Sequence, residues 1–278
     1  MRTRFLSKCT NQEVEQYLAS NDIIIVPVGV TELHGGLPLD SETVLAEGIA
    51  LKMAEACDGL ILHNLPYFYA GSTIRGRGTV QVNVEPSIQY LKEVTKSLIR
   101  QGFKRIIFTS FHGPAHLYIS PVVRDIFEDY HVPVLYIDPL QAIGMEKLFQ
   151  GASSEDPFTE IILAAYDSLG RLGEVPLTTP ENDFWNERKP STTAFANKIN
   201  GMAYASGAIG MIFGDHMDHM PTIQLTSEEQ KQALADSGHQ QINQIVDYLD
   251  MVEVVGQMQQ VAQFVAEQAK KYQWTNNI

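Results

Sequence analysis

Ile23-Ile24-Ile25-Val26-Pro27-Val28-Gly29-Val30-Thr31-Glu32-Leu33-His34-Gly35-Gly36-Leu37-Pro38-Leu39-Asp40-Ser41-Glu42-Thr43 is the stretch whose reading decides the fold. Its opening is a short, mostly β-branched run, which predicts a buried strand over Ile23 to Val28. Glu32 and His34 follow two apart, so in extended backbone their side chains leave from the same face. After a Gly-Gly-Leu-Pro-Leu turn, Glu42 returns at the start of a predicted helix. That helix runs to Cys57 with apolar positions at Leu45, Ile49 and Met53, and stops at Asp58-Gly59. Carboxylate oxygens and imidazole nitrogens that converge on one point suit a divalent ion such as zinc or manganese. The pattern points to a metal-dependent hydrolase.

Outward from this stretch, strand and helix patterns alternate. Further strands are predicted at Leu60–Asn64, Thr79–Val82, Arg105–Ser110 and Val132–Ile137. Pro86 opens a helix at its first turn and Gly102 follows its end; a second helix spans about 117–130. Gly71 to Gly78 reads as a loop. Such alternation argues for an α/β fold with a mostly parallel sheet covered on both faces. These sheets bind ligands beyond the carboxyl ends of their strands. Glu32 and His34 fall just past one predicted strand and His112 just past another, so independent positions point at one sheet edge. Later, 178–193 reads as a long surface loop and 203–213 as a last strand region. Ser227 caps a helix to Leu249, and a further helix begins at Met251. The reading is of one domain over residues 1–278.

Composition narrows the function classes. The chain has 278 residues, 44% hydrophobic and 19% charged, with mean hydropathy −0.11. A net charge of −13 opposes binding to nucleic acid or anionic membranes. No apolar run is long enough to predict a transmembrane helix, and the first ten residues lack the apolar core of a signal peptide. Two cysteines, Cys9 and Cys57, are too few for a disulfide framework and fit a reducing, cytoplasmic setting.

Each candidate also has a plainer reading. Glu32 and His34 could be a solvated turn, and Glu42 an acid favoured by the helix dipole. His112 could be a structural histidine. His116, four residues on, is a candidate acid/base or a satisfied core histidine. Asp215-His216-Met217-Asp218-His219 looks like a ligand cluster, but its spacing matches no metal pattern, so it is read as a loop contributing to the pocket or to a subunit contact. A histidine of 216–219 is the other candidate acid. Trp185 is a candidate lid residue. Arg75 and Arg77 are candidate contacts to a polar substrate.

Taken together, these residues resemble the creatininase (creatinine amidohydrolase) family. That family carries a pattern close to Gly-x-Thr-Glu-x-His-Gly-Pro-His-Leu-Pro-Leu-Gly-Thr-Asp-Thr. Gly29, Thr31, Glu32, His34, Gly35, Leu37-Pro38-Leu39 and Thr43 match it. The similarity continues through Pro66-Tyr67, Gly78-Thr79, Gln101-Gly102-Phe103-Lys104-Arg105 and His112-Gly113. The resemblance implies a three-layer α/β/α sandwich, a homohexamer, and two divalent ions, Zn²⁺, Mn²⁺ or Fe²⁺, bridged by hydroxide. By position it implies Glu32, His34, Glu42, His112 and Glu160 as metal ligands, with Glu160 also placed in the catalytic set. Glu160 lies in an apolar helical run, Ile161 to Ala165, where a core-facing carboxylate needs a partner and a cation would supply one. Asp40 is the substitute ligand if the register at Glu42 is shifted.

The chain also departs from the family. Asn-Gly-His-Gly-Gly-Asn becomes Ser110-Phe111-His112-Gly113-Pro114-Ala115. His-Ala-Gly…Glu-Thr is reduced to Gly151-Ala152…Thr159-Glu160, and Gln150 stands near the usual acid/base histidine. The expected reaction is attack of hydroxide on a carbonyl of a small, cyclic substrate, cleaving a non-peptide C–N bond. The alternative is C–C ring opening of a diketo-inositol such as 3-dehydro-scyllo-inosose, whose enolate leaving group needs less acid help. A third reading is a non-catalytic metal-binding assembly protein.

Overall fold

The structure, a computed structural model, describes residues 1–74, 76–181, 192–199, 202, 210–213, 219 and 223–272. The predicted first strand is β1 (Ile23–Pro27), buried along its whole length. Beside it lie β2 (Leu60–Ile61), β3 (Arg105–Thr109) and β4 (Val134–Ile137), in the order β2-β1-β3-β4. All three pairings are parallel, with Ile25 opposite Ile61 and Ile107, and Ile107 opposite Leu135. Pro27 ends β1, where a missing backbone N–H costs little.

Side-chain alternation along these strands builds two cores. Ile23, Ile25, Ile61, Ile107 and Ile137 face one core, with α2 (Ser41–Cys57), α7 (Pro157–Ser168), α8 (Glu228–Leu249) and α9 (Met251–Lys271). Ile24, Val26, Leu60, Ile106, Phe108 and Val134 face the other, with α1 (Asn11–Leu18), α3 (Val84–Gln101) and α4 (His116–Tyr130). The short helices α5 (Pro139–Ile143) and α6 (Met145–Leu148) follow β4. This is the expected three-layer α/β/α sandwich.

α2 is the interior helix. Thirteen of its seventeen residues are buried, so it is buried nearly all round rather than along one stripe. Close approach explains its small residues: a Cβ on Gly48 would meet Ala165 of α7 at 2.6 Å. Leaving β1, the chain crosses one face through α2 to β2. It then crosses the other face through α3 to β3. β1 and β3 therefore flank a topological switch point, where parallel sheets open a crevice at their carboxyl ends.

Some expectations change. Thr79–Val82 is not a strand; Val80 makes only an isolated antiparallel bridge with Thr31. Leu60–Asn64 shortens to Leu60–Ile61. Of the last predicted strand region, 203–209 lie outside the described residues, and 210–213 carry no strand. Of the predicted surface loop, 182–191, including Trp185, lie outside them too, as do Arg75, His216 and residues 273–278. Among the described residues no helix is long and apolar enough to cross a membrane.

Candidate metal centre

Four of the five residues expected as ligands meet at the switch point. Glu32 and His34 lie on the segment leaving β1, Glu42 in the first turn of α2, and His112 three residues past β3. Local structure draws them together. The Glu32 N–H donates to the Leu39 carbonyl at 2.9 Å, closing the 32–39 loop back on itself. Gly35 takes φ +56°, which lets the loop turn tightly. Thr43 Oγ1 donates to the Val30 carbonyl at 3.0 Å, and a Cβ on Gly29 would sit 2.3 Å from Thr43 Cα. Glycine at 29 thus lets α2 start directly against the end of β1.

Burial is nearly complete: Glu32 is 1% exposed, His34 2%, His112 3% and Glu42 8%. Glu42 stands at the centre. Its Oε2 lies 2.7 Å from His112 Nδ1, and its Oε1 lies 4.0 Å from His34 Nδ1. Glu32 Oε1 lies 3.3 Å from the same His112 Nδ1. His219 completes the group, its Nε2 at 3.7 Å from Glu32 Oε1 and its ring edge-on to His34, with centroids 5.3 Å apart. Two triplets result, Glu32–Glu42–His112 and His34–Glu42–His219, each with its ligand atoms within 4.8 Å of one another. Glu42 belongs to both.

The protonation states follow from the surroundings. Burial would lower the pKa of His112, but the adjacent Glu42 and Glu32 carboxylates raise it well above the usual range. Its Nδ1 faces carboxylates and its Nε2 faces the Tyr69 carbonyl at 2.9 Å, an arrangement that favours the protonated ring. Burial works against ionised Glu32, yet His112, His219 and the Thr73 hydroxyl bring its carboxyl down to about 2. Burial raises the Glu42 carboxyl. Burial, with His219 beside it, lowers His34 to about 3, so its imidazole is neutral.

This donor set fits divalent metal. Glu32 Oε1, His34 Nδ1 and His219 Nε2 are buried and have no hydrogen-bond partner among the described residues. Orphaned buried polar atoms are costly, and three at one point are what an ion would satisfy. His112 makes the contact expected of a ligating histidine, its second nitrogen fixed by a backbone carbonyl.

Glu160 stands apart from the other four expected ligands. It is fully buried on α7, but its carboxylate accepts from Ser153 N and Oγ, Ser237 Oγ and Gln241 Nε2. Hydroxyl and amide donors, half of them from α8, meet the need that a cation was expected to fill. The structure brings Glu160 to neither triplet. Asp40 also turns away, to Tyr166 Oη at 2.5 Å and Arg171 Nη2 at 2.7 Å. His116 opens α4 with Nδ1 2.9 Å from the Gly113 carbonyl, and belongs to neither triplet. His219, expected in a loop contributing to the pocket or to a subunit contact and as a candidate acid, instead joins the ligand-type cluster; its signal in the sequence is the density of Asp and His around it.

Comparison with known proteins places the chain in a family and supports its fold. The family model described as creatinine amidohydrolase matches residues 7–164. The 3-dehydro-scyllo-inosose hydrolase of Thermotoga maritima (strain ATCC 43589 / DSM 3109 / JCM 10099 / NBRC 100826 / MSB8) is 30% identical over 165 residues. That match covers 55% of this chain and 51% of the relative, so it spans about half the relative's length. A crystal structure of creatinine amidohydrolase superposes with TM-score 0.63 at 18% identity, covering 92% of this chain and 98% of that one. A Zn-Zn form of a creatininase variant gives TM-score 0.58 at 17% identity, covering 90% and 98%. An Mn form of creatininase gives 0.56 at 17% identity, covering 89% and 97%.

Proposed function

The chain belongs to the creatininase family of hydrolases, and from that premise we propose that it is a metal-dependent, ring-opening hydrolase holding two divalent ions, Zn²⁺ or Mn²⁺, on Glu32, His34, Glu42, His112 and His219. One observation carries this reading: two triplets, one buried and one nearly so, share one carboxylate and leave three buried ligand atoms without hydrogen-bond partners among the described residues. Divalent ions at such a site lower the pKa of water to about 7 and polarise a carbonyl.

The chain's own residues supply the rest. Glu42 presents one oxygen to each triplet, which sets their spacing. His112 would hold an ion through Nδ1, with its Nε2 oriented by the Tyr69 carbonyl. Burial of the carboxylates excludes competing solvent.

We infer a cyclic polyhydroxy diketone of the dehydro-inosose class as substrate. The Thermotoga maritima relative supports this, as does Gln150 near the family's usual acid histidine. Water oxygen adds to one ring carbonyl carbon. The bond from that carbon to the carbon between the two carbonyls breaks, and its electron pair passes into the second carbonyl as an enolate. The enolate takes one proton, and the product is an open-chain keto acid. His116, with Nδ1 held by the Gly113 carbonyl, is assigned as the proton donor through Nε2. The second reading, hydrolysis of a cyclic amide, is favoured by the family description itself.

Homo-oligomerisation, expected as a hexamer, is supported by exposed Val252, Val261 and Phe264 on α9. Free Cys9 and Cys57 support a reducing setting.

The test is turnover in ¹⁸O-water of 3-dehydro-scyllo-inosose, creatinine and other cyclic amides by metal-loaded protein. The reading expects turnover of the diketone with one ¹⁸O in the new carboxylate. Turnover confined to the amides would replace it with the second reading.

A further inference from the structure

Three contacts come from one short turn, Tyr69–Thr73, that no motif singled out. The Tyr69 carbonyl faces His112 Nε2. Phe213 N–H donates to the Ser72 carbonyl at 2.9 Å, and the Phe213 ring stacks on His219 with centroids 5.5 Å apart. Thr73, 3% exposed, donates its hydroxyl to Glu32 Oε2. The last contact divides the Glu32 carboxylate. Oε2 is taken by Thr73, while Oε1 faces His112 and His219 and has no hydrogen bond among the described residues.

We propose that Thr73 is a positioning residue for the metal centre: it anchors Glu32 by Oε2 and thereby presents Oε1 as the ligand oxygen. A freely rotating carboxylate would offer either oxygen and could chelate a single ion. One pinned by a hydroxyl offers one oxygen in one direction. Outer contacts of this kind change metal affinity by about 10–100-fold when lost. Because Tyr69 and Ser72 contact the surroundings of His112 and His219, the same turn reaches both triplets.

The inference rests on the proposed metal reading, and calorimetric titration of metal-free protein with Zn²⁺ separates the two. Thr73→Val keeps the shape and removes the hydroxyl; we expect Zn²⁺ affinity to fall about 10–100-fold. Thr73→Ser restores the hydroxyl and should bind within about threefold of wild type. A folded Thr73→Val protein with wild-type affinity overturns the proposal and leaves the metal reading standing. So does Thr73→Ser binding as weakly as Thr73→Val, since the methyl group would then be what matters. Should Thr73→Val fail to fold, Thr73→Cys, with a weaker donor of similar shape, is expected to lose affinity, and wild-type affinity there is equally contrary. Wild-type protein that takes up no Zn²⁺ overturns both.

Discussion

At the scale of the residue, His112 carries most of the site's pH dependence. Its proton sits between Glu32 and Glu42, the place that a metal ion would take. Those carboxylates raise its pKa against the effect of burial. In the metal-free protein the pairing therefore stabilises fully below the unfolded value of about 6.5 and is lost as pH rises through the folded value. Metal competes with that proton, so affinity should rise from pH 6 to pH 8 and binding should release protons. Calorimetry in buffers of different ionisation enthalpy checks this; pH-independent affinity with no proton release would contradict it. At this scale the sequence was informative where the chemistry is local. Glu32, His34 and Glu42 lie within eleven residues and His112 follows a strand, and all four meet. His219 lies far downstream on a segment with no spacing rule. The apolar neighbours of Glu160 are visible in the sequence, whereas its donors Ser237 and Gln241 come from another helix. The Thr73 hydroxyl resembles any loop threonine until its acceptor is known.

At the scale of the element, the start of α2 decides the centre. Asp40 and Glu42 are two residues apart and serve different ends. Asp40 ties α2 to Tyr166 on α7 and to Arg171 beyond it, and Glu42 turns to the histidines. Asp40→Asn should therefore lower stability by about 1 kcal/mol, since the pair is partly exposed, while leaving metal stoichiometry unchanged. Denaturant unfolding with metal analysis of the same sample measures both. Loss of metal with unchanged stability would make Asp40 a ligand. The helices α2, α3, α4 and α8 were legible from periodicity and caps: Ser227 accepts from Gln230 N, and Gly102 takes φ +109°. Thr79–Val82 was not, because a β-like tetrapeptide becomes a strand only when a neighbour offers a full ladder, and Thr31 offers one bridge.

At the scale of the whole molecule, the sheet order explains why distant residues converge. Reversal of the crossovers between β1 and β3 opens one crevice, and both chain segments that leave it carry ligand-type residues. Strand–helix alternation foretold the parallel sheet and its two covered faces. It could not foretell that α8 and α9 join α2 and α7 in one core, which depends on contacts between helices far apart in sequence. A net charge of −13 does not hinder a cation site.

The central claim is that this crevice holds a metal pair. Elemental analysis of protein purified without added metal or chelator tests it most directly. We predict about two equivalents of zinc, manganese or iron per chain, as a two-metal hydrolase requires. No metal, with none regained on titration, would contradict the account and favour a non-catalytic protein that keeps the fold.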